Sequence, residues 1–210
     1  DDPNGSFGFY MDSNIDTFSA DLVTALSGKA IINQIPRLQA IIDTTSGNRF
    51  TTDPAMNDLL IANTHQYAPS KYHLRRDGNK CRQQSSGLVF STWLGQGAWL
   101  NHIIEQNAIE ELRKNIQGDQ INNHYFVVAR EISHKQRIDQ PWSWLDWTDQ
   151  TTTITSDMHR GYVVPDGWDE VHFNRGATIT VNLAAPKLCL LTFRKTIYDK
   201  LSDLIEKKLV

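Results

Sequence analysis

Two hydroxyl side chains, Ser91 and Thr92, close the apolar run Gly87-Leu88-Val89-Phe90. Hydroxyls in that place either cap the element that follows or line a polar site at a strand end. Asp157 follows Thr155-Ser156 and precedes Gly161. A carboxylate in such a turn ordinarily meets solvent, and in a cleft it becomes a candidate acid, base or charge stabiliser. Metal chemistry has no local signature. The histidines His65, His73, His102, His124, His134, His159 and His172 never fall three or four residues apart, and Cys-x-x-Cys does not occur. The nucleophile elbow, the P-loop, the Gly-x-Gly-x-x-Gly fingerprint and His-Glu-x-x-His are missing too. Glu110-Glu111 lies on the polar side of a helical pattern and reads as a solvated face. Trp142, Trp144 and Trp147 suit either packing in a strand or stacking on a ring or a partner. Cys81 and Cys189 read either as one long-range staple of a secreted chain or as two unrelated buried thiols.

The elements that must position these residues follow from periodicity. Phe7–Met11 is short and aromatic and predicts a strand, ended by Asp12-Ser13-Asn14. Asp16–Leu26 predicts a helix whose core face carries Phe18, Leu22, Val23 and Leu26, stopped at Gly28. Thr44–Thr52 reads as a loop. Ala55–Ala62 predicts a helix, with Asp53 as cap and Pro54 at its first position. Gly87–Thr92 predicts a buried strand, and Leu94–Ile116 one long helix with Trp99, Ile103, Ala108, Leu112 and Ile116 on its core face. Tyr125–Ile132 predicts a strand buried on both faces. Short strands follow at Thr151–Thr155, Gly161–Val164, Val171–Phe173 and Ala177–Leu183, and an amphipathic helix at Thr196–Leu209. This order predicts an α+β fold with helices segregated from a mostly antiparallel sheet.

Composition bounds the rest. A chain of 210 residues is one large domain or two small ones. Hydrophobic residues make up 40%, enough to build a core and to exclude disorder. The formal charge of −3 argues against a nucleic-acid partner, which calls for a basic excess. No apolar run reaches the roughly 18 residues of a membrane span. The opening Asp1-Asp2-Pro3-Asn4-Gly5-Ser6 reads as an end left by a removed signal peptide, which suits a secreted protein.

Four features in order then stand out. They are the aromatic segment ending in Asp12-Ser13; the stretch Cys81-Arg82-Gln83-Gln84-Ser85-Ser86-Gly87-Leu88-Val89-Phe90-Ser91-Thr92; the strand His124–Ile132; and Thr155-Ser156-Asp157 leading through Gly161 and Val164-Pro165 to the strand Glu170–Phe173. In this order the sequence resembles the catalytic A chains of the pertussis, typhoid, cholera and heat-labile enterotoxin family of ADP-ribosyltransferases. The resemblance covers about two-thirds of the chain and leaves a stretch at about 29–80 unmatched. It implies a single domain over 1–210 with two small, mostly antiparallel sheets flanking an NAD cleft, peripheral helices and a C-terminal helix at about 196–209.

Carried over residue by residue, the resemblance puts Tyr10 where the family has its NAD-binding Arg, and a phenol lacks the charged bidentate fork. Ser91 and Thr92 fall on the strand that props the NAD site, with Trp93 departing from the pattern. Thr155 and Asp157 fall on the Glu-x-Glu element. Asp157 would hold the ribose and offset the oxocarbenium charge as the nicotinamide leaves. Arg160, or one of Arg75, Arg76 and Arg82, would supply the displaced cation. The resemblance also implies a Cys81–Cys189 disulfide.

The function implied is a secreted toxin or effector transferring ADP-ribose from NAD to a host target protein, without a metal, and with a toxin B subunit as a further partner. The alternative is a catalytically degenerate ADP-ribosyltransferase-like domain that acts by protein binding. A third reading is an unrelated secreted α+β domain.

Overall fold

The computed structural model describes residues 10–116 and 118–207. They divide into two compact units, one of residues 10–35 with 187–207, the other of residues 36–186. In chain order the elements are α1 (Phe18–Leu26), β1 (Ile31–Ile35), β2 (Gln39–Asp43), β3 (Arg49–Thr51), β4 (Asp58–Asn63), β5 (Ser70–Arg76), β6 (Asn79–Ser85) and β7 (Leu88–Ser91). Next come α2 (Leu100–Ile103), α3 (Gln106–Asn115), β8 (Tyr125–Ala129), α4 (His134–Asp139), β9 (Leu145–Thr148) and β10 (Thr152–Ser156). The chain continues through β11 (Arg160–Pro165), β12 (Val171–Asn174), β13 (Thr178–Asn182), β14 (Leu188–Thr192) and α5 (Ile197–Glu206).

The larger unit is built on two six-stranded antiparallel sheets, ordered β3-β2-β13-β10-β5-β6 and β12-β11-β4-β7-β8-β9. The first has one wet face. Along β5, Tyr72 and Leu74 point inward while Lys71, His73 and Arg75 are exposed, the period-two pattern of a half-buried strand. In the second sheet every position of β7 and β8 is buried. One face of that sheet gives Leu59, Ile61, Leu88, Phe90, Tyr125 and Val127 to a core shared with Ala40, Ile42, Tyr72, Leu74, Ile154 and Ile179 of the first sheet. The other face is covered by the helical segment after β7. Leu60, Ala62 and Val89 lie against Trp99 and Ile103, and Phe126 and Val128 against Leu100, Ile104 and Ile109. The two large phenols of the core are paired, as low polarity demands. The Tyr72 hydroxyl donates to Gln83 Oε1 at 2.7 Å, and the Tyr125 hydroxyl donates to the Gln150 carbonyl at 2.5 Å.

The smaller unit holds the two-stranded β1–β14 sheet with α1 and α5. The Asn33 amide donates to Leu190 O and Thr192 Oγ1, while its carbonyl accepts from the Ile197 amide at the start of α5. Thr196 and Asp199 form a capping box there. Arg194 reaches Asp21 of α1 at 2.9 Å. Asp12 accepts from the Phe193 amide and Lys200. The Asp12 carboxylate therefore ties this unit together.

Several expectations are corrected. The sheets are large rather than small, and the space between them is filled by Phe90, Tyr125, Tyr72 and Leu59, so no NAD cleft lies between them. Ala55–Ala62 is strand β4 and its lead-in, not a helix. Leu94–Ile116 is broken into a 3-10 turn over Leu94–Gly97, α2 and α3, because Ile104 and Glu105 take extended backbone angles. Phe18, Val23 and Leu26 of α1 are exposed, and the helix is anchored by its buried Asp21 instead. The predicted Cys81–Cys189 disulfide is not formed. Cys81 is buried in the larger unit's core, and Cys189 is an exposed thiol of the smaller unit accepting from Gln34. Of the predicted strand Phe7–Met11, residues 7–9 lie outside the described residues.

Candidate functional site

One end of the second sheet collects the groups that could do chemistry. β4 begins at Asp58, which pairs across the ladder with Ser91, the last residue of β7. Alternation along β4 puts Asp58 on the same face as Leu60 and Ala62, the face beneath Trp99. Beyond β11 the chain turns at Pro165-Asp166-Gly167, with Asp166 held at φ 47. The Asp166 carboxylate accepts from three successive backbone amides, Met56 at 2.7 Å, Asn57 at 2.8 Å and Asp58 at 3.0 Å. Three donors converging on one carboxylate fix the entry into β4.

The β7 exit is locked onto the same segment. Thr92 donates through its amide to Asn57 O at 2.9 Å and through its hydroxyl to Met56 O at 2.5 Å. Ser91 Oγ donates to Asn57 O at 3.3 Å. Gly95 then packs so closely that a Cβ would lie 2.1 Å from Asn57 O and 2.6 Å from Ser91 Oγ. Only glycine fits that approach.

Asp58 is the anomaly in this arrangement. It is 8% exposed, yet among the described residues its carboxylate receives no hydrogen bond and no ion pair. Burial, reinforced by the nearby Asp166 charge, pushes its carboxyl up to about 6. A largely buried carboxylate without a protein partner is costly, and such a group is a candidate acceptor for ligand hydroxyls. Along the same face lies a cavity of about 420 Å³, lined by Leu60, Ala62, His65, Trp99, Arg130 and Tyr162 among others. The Arg130 guanidinium sits 5.1 Å from the Trp99 ring centroid and makes no ion pair among the described residues. The cavity thus combines an aromatic wall with the Arg130 cation and the neighbouring Glu131 carboxylate, while Asp58 lies farther along the same strand face and is not one of its lining residues.

The residues singled out from sequence are scattered. Ser91 and Thr92 belong to the Asp58 end of the second sheet. Thr155 and Asp157 belong to the first sheet, where Asp157 pairs with Arg82 Nε at 3.2 Å and lies 3.4 Å from His73 Nε2. Arg160 lines a separate cavity of about 540 Å³ with His159, His172 and Phe50. Tyr10 lies at a turn of the smaller unit. Trp142 and Trp144 pack against the shared core, and Trp147 packs on Phe126 and Trp93. Asp58, Asp166 and Gly95 were missed by sequence reasoning. The available signal was an acid leading the uninterrupted apolar run Leu59-Leu60-Ile61-Ala62, which marks the end of a strand buried on both sides.

No protein-family model matches the chain, and no curated protein matches it. Among solved structures it is similar to yeast NADH kinase, crystallised with NADH, at TM-score 0.75 and 14% identity over 96% of this chain. It is also similar to an NAD kinase from Archaeoglobus fulgidus, solved with ATP, at TM-score 0.63 and 14% identity over 95% of this chain. The chain spans 56% of the yeast enzyme and 68% of the archaeal one. At this identity the likeness establishes the fold, an NAD kinase-like α+β architecture. It overturns the resemblance to the ADP-ribosyltransferase toxins. With that resemblance go the toxin or effector reading and its degenerate protein-binding alternative, because the motif order arises here from strands of an unrelated sandwich.

Proposed function

We propose that the larger unit binds NAD(H) and serves as the dinucleotide-binding part of a kinase-type protein, one that transfers a phosphoryl group from ATP to the dinucleotide. The observation that carries this reading is the fold likeness, which runs over nearly the whole chain to two dinucleotide kinases. Three features support a place for the ligand. Asp58 would accept hydroxyl donors of a ribose, for which an ionised carboxylate offers two oxygens. Trp99 and Tyr162 offer faces for a planar base, and Arg130 lines the cavity as a counter-charge to a pyrophosphate.

Calorimetry with NAD and NADH tests the reading. Wild-type protein should bind in the submillimolar range, and Asp58→Asn should weaken binding at least about tenfold, the worth of hydrogen bonds to a charged acceptor. Binding should also weaken as pH falls through about 6, where Asp58 takes up a proton. A second assay follows phosphorylated dinucleotide formed from NAD(H), ATP and magnesium. Dinucleotide binding that ignores both Asp58→Asn and Trp99→Ala, or that is absent at millimolar concentration, would overturn the assignment.

A further inference from the structure

The outer face of the first sheet carries a concentration of positive charge that the dinucleotide site does not use. β5 and β6 form a hairpin in strict register, with His73 opposite Arg82 and Arg75 opposite Lys80. All four side chains are on the exposed face. Directly opposed residues of an antiparallel pair have Cβ atoms about 5 Å apart, and like charges there repel. The hairpin thus sets two basic pairs side by side on a chain whose net charge is −3.

One of the two pairs is relieved from within. Asp157, just past the end of β10, reaches Arg82 at 3.2 Å and His73 at 3.4 Å. The other pair has no such relief, since neither Arg75 nor Lys80 makes an ion pair among the described residues. Asp77, in the hairpin turn, pairs with neither. Charge on the edge strand β6 discourages pairing with other chains, but that purpose does not require Arg opposite Lys. A cavity of about 460 Å³ opens at this spot, lined by His73, Arg75, Lys80, Arg82 and Thr155. Thr155 lies opposite His73 on β10 and brings a hydroxyl to the floor.

We infer that this cavity is a second anion site, in which Arg75 and Lys80 clamp a multiply charged phosphate group. Its ligand is a pyrophosphate, free or as part of a small nucleotide. Asp157 plays toward Arg82 and His73 the part that the ligand plays toward Arg75 and Lys80. Arg75 supplies a planar fork for two phosphate oxygens and Lys80 a point charge, with Thr155 as a neutral donor. The site lies on the opposite sheet from Asp58 and does not rest on the dinucleotide reading.

The test is calorimetry with inorganic pyrophosphate and with ADP at constant ionic strength near 0.15 M, on wild type, Arg75→Gln, Lys80→Gln and Asp58→Asn. Both hairpin residues are exposed, and thermal melts of each variant report its folding. Submillimolar pyrophosphate binding should fall at least about tenfold in each hairpin variant and stay within about twofold in Asp58→Asn. Tighter binding of ADP that also depends on Arg75 and Lys80 assigns a nucleotide. Equal binding assigns the phosphate group alone. Absence of pyrophosphate binding, binding indifferent to both hairpin substitutions, or loss of it in Asp58→Asn would overturn the site.

Discussion

Replacing Asp58 with asparagine should make the folded protein more stable, and only above a definite pH. The folded carboxyl titrates near 6 rather than at its ordinary 3.8, because burial and the Asp166 charge disfavour the ionised form. Between those values the folded state holds a proton that the unfolded state has released, so stability falls as pH rises through that window. At about 1.4 kcal/mol per pH unit, the gap is worth about 3 kcal/mol against the wild type at pH 7.5. An asparagine in this place would keep the shape, carry no charge at any pH and escape that penalty. Its advantage should therefore approach about 3 kcal/mol at pH 7.5, or roughly 6–12 °C in melting temperature for a protein of this size. It should shrink toward zero near pH 4. Urea unfolding followed by tryptophan fluorescence reads the right region, since all six tryptophans belong to the larger unit. Equal stability of the two proteins at pH 7.5, or an advantage unchanged at pH 4, would refute the reasoning. Retention of a group at such a cost is the stability–function trade-off expected of a site residue.

Two further substitutions probe the frame around Asp58. Asp166→Ala withdraws the acceptor from the amides of Met56, Asn57 and Asp58 and should cost about 2–3 kcal/mol, partly offset because Asp58 loses its repelling neighbour. Asp166→Asn should recover part of that loss in the same urea assay, and an unchanged midpoint for Asp166→Ala would show that water replaces the carboxylate. Gly95→Ala forces a methyl to within 2.1 Å of the Asn57 carbonyl oxygen. Because the obstacle is backbone, the expected cost is about 3 kcal/mol or more, and a wild-type midpoint would mean that the turn relaxes freely.

Much of the fold is legible where one face of an element is wet. The amphipathic stripe of α5 predicts the helix at Thr196–Leu209, whereas the alternation of β5, where solvent touches one side of the first sheet, went unread. The fully apolar runs of β7 and β8 also announce themselves as strands buried on both faces. Ambiguity begins where an element is covered on both sides and carries few aromatic or β-branched residues. Asp58-Leu59-Leu60-Ile61-Ala62 is rich in helix formers, so local propensity points to a helix after Pro54. The decision for strand comes from pairing with β7 and, across about a hundred residues of sequence, with β11. The break at Ile104 and Glu105 has the same origin. The helical period runs through both residues, but the segment must bend to lay Leu100 and Ile109 on one patch of Phe126 and Val128.

The site was harder to see than the fold because its defining property belongs to no single residue. Asp58 is an ordinary acid in sequence, and only the apolar run that follows it sets it apart from Asp53 or Asp157. Its burial is created by Ser91 from β7, by the helical cover above Leu60, and by Asp166 from the far end of β11. Asp166 itself takes up the backbone amides of Met56, Asn57 and Asp58, leaving the Asp58 carboxylate largely buried with no protein partner among the described residues. Asp157 shows the converse. It sits near glycine and arginine in a motif-like order, but the fold commits it to Arg82 and His73. Motif order therefore pointed to the carboxylate that already has its partners, whereas tertiary packing leaves Asp58 without one among the described residues.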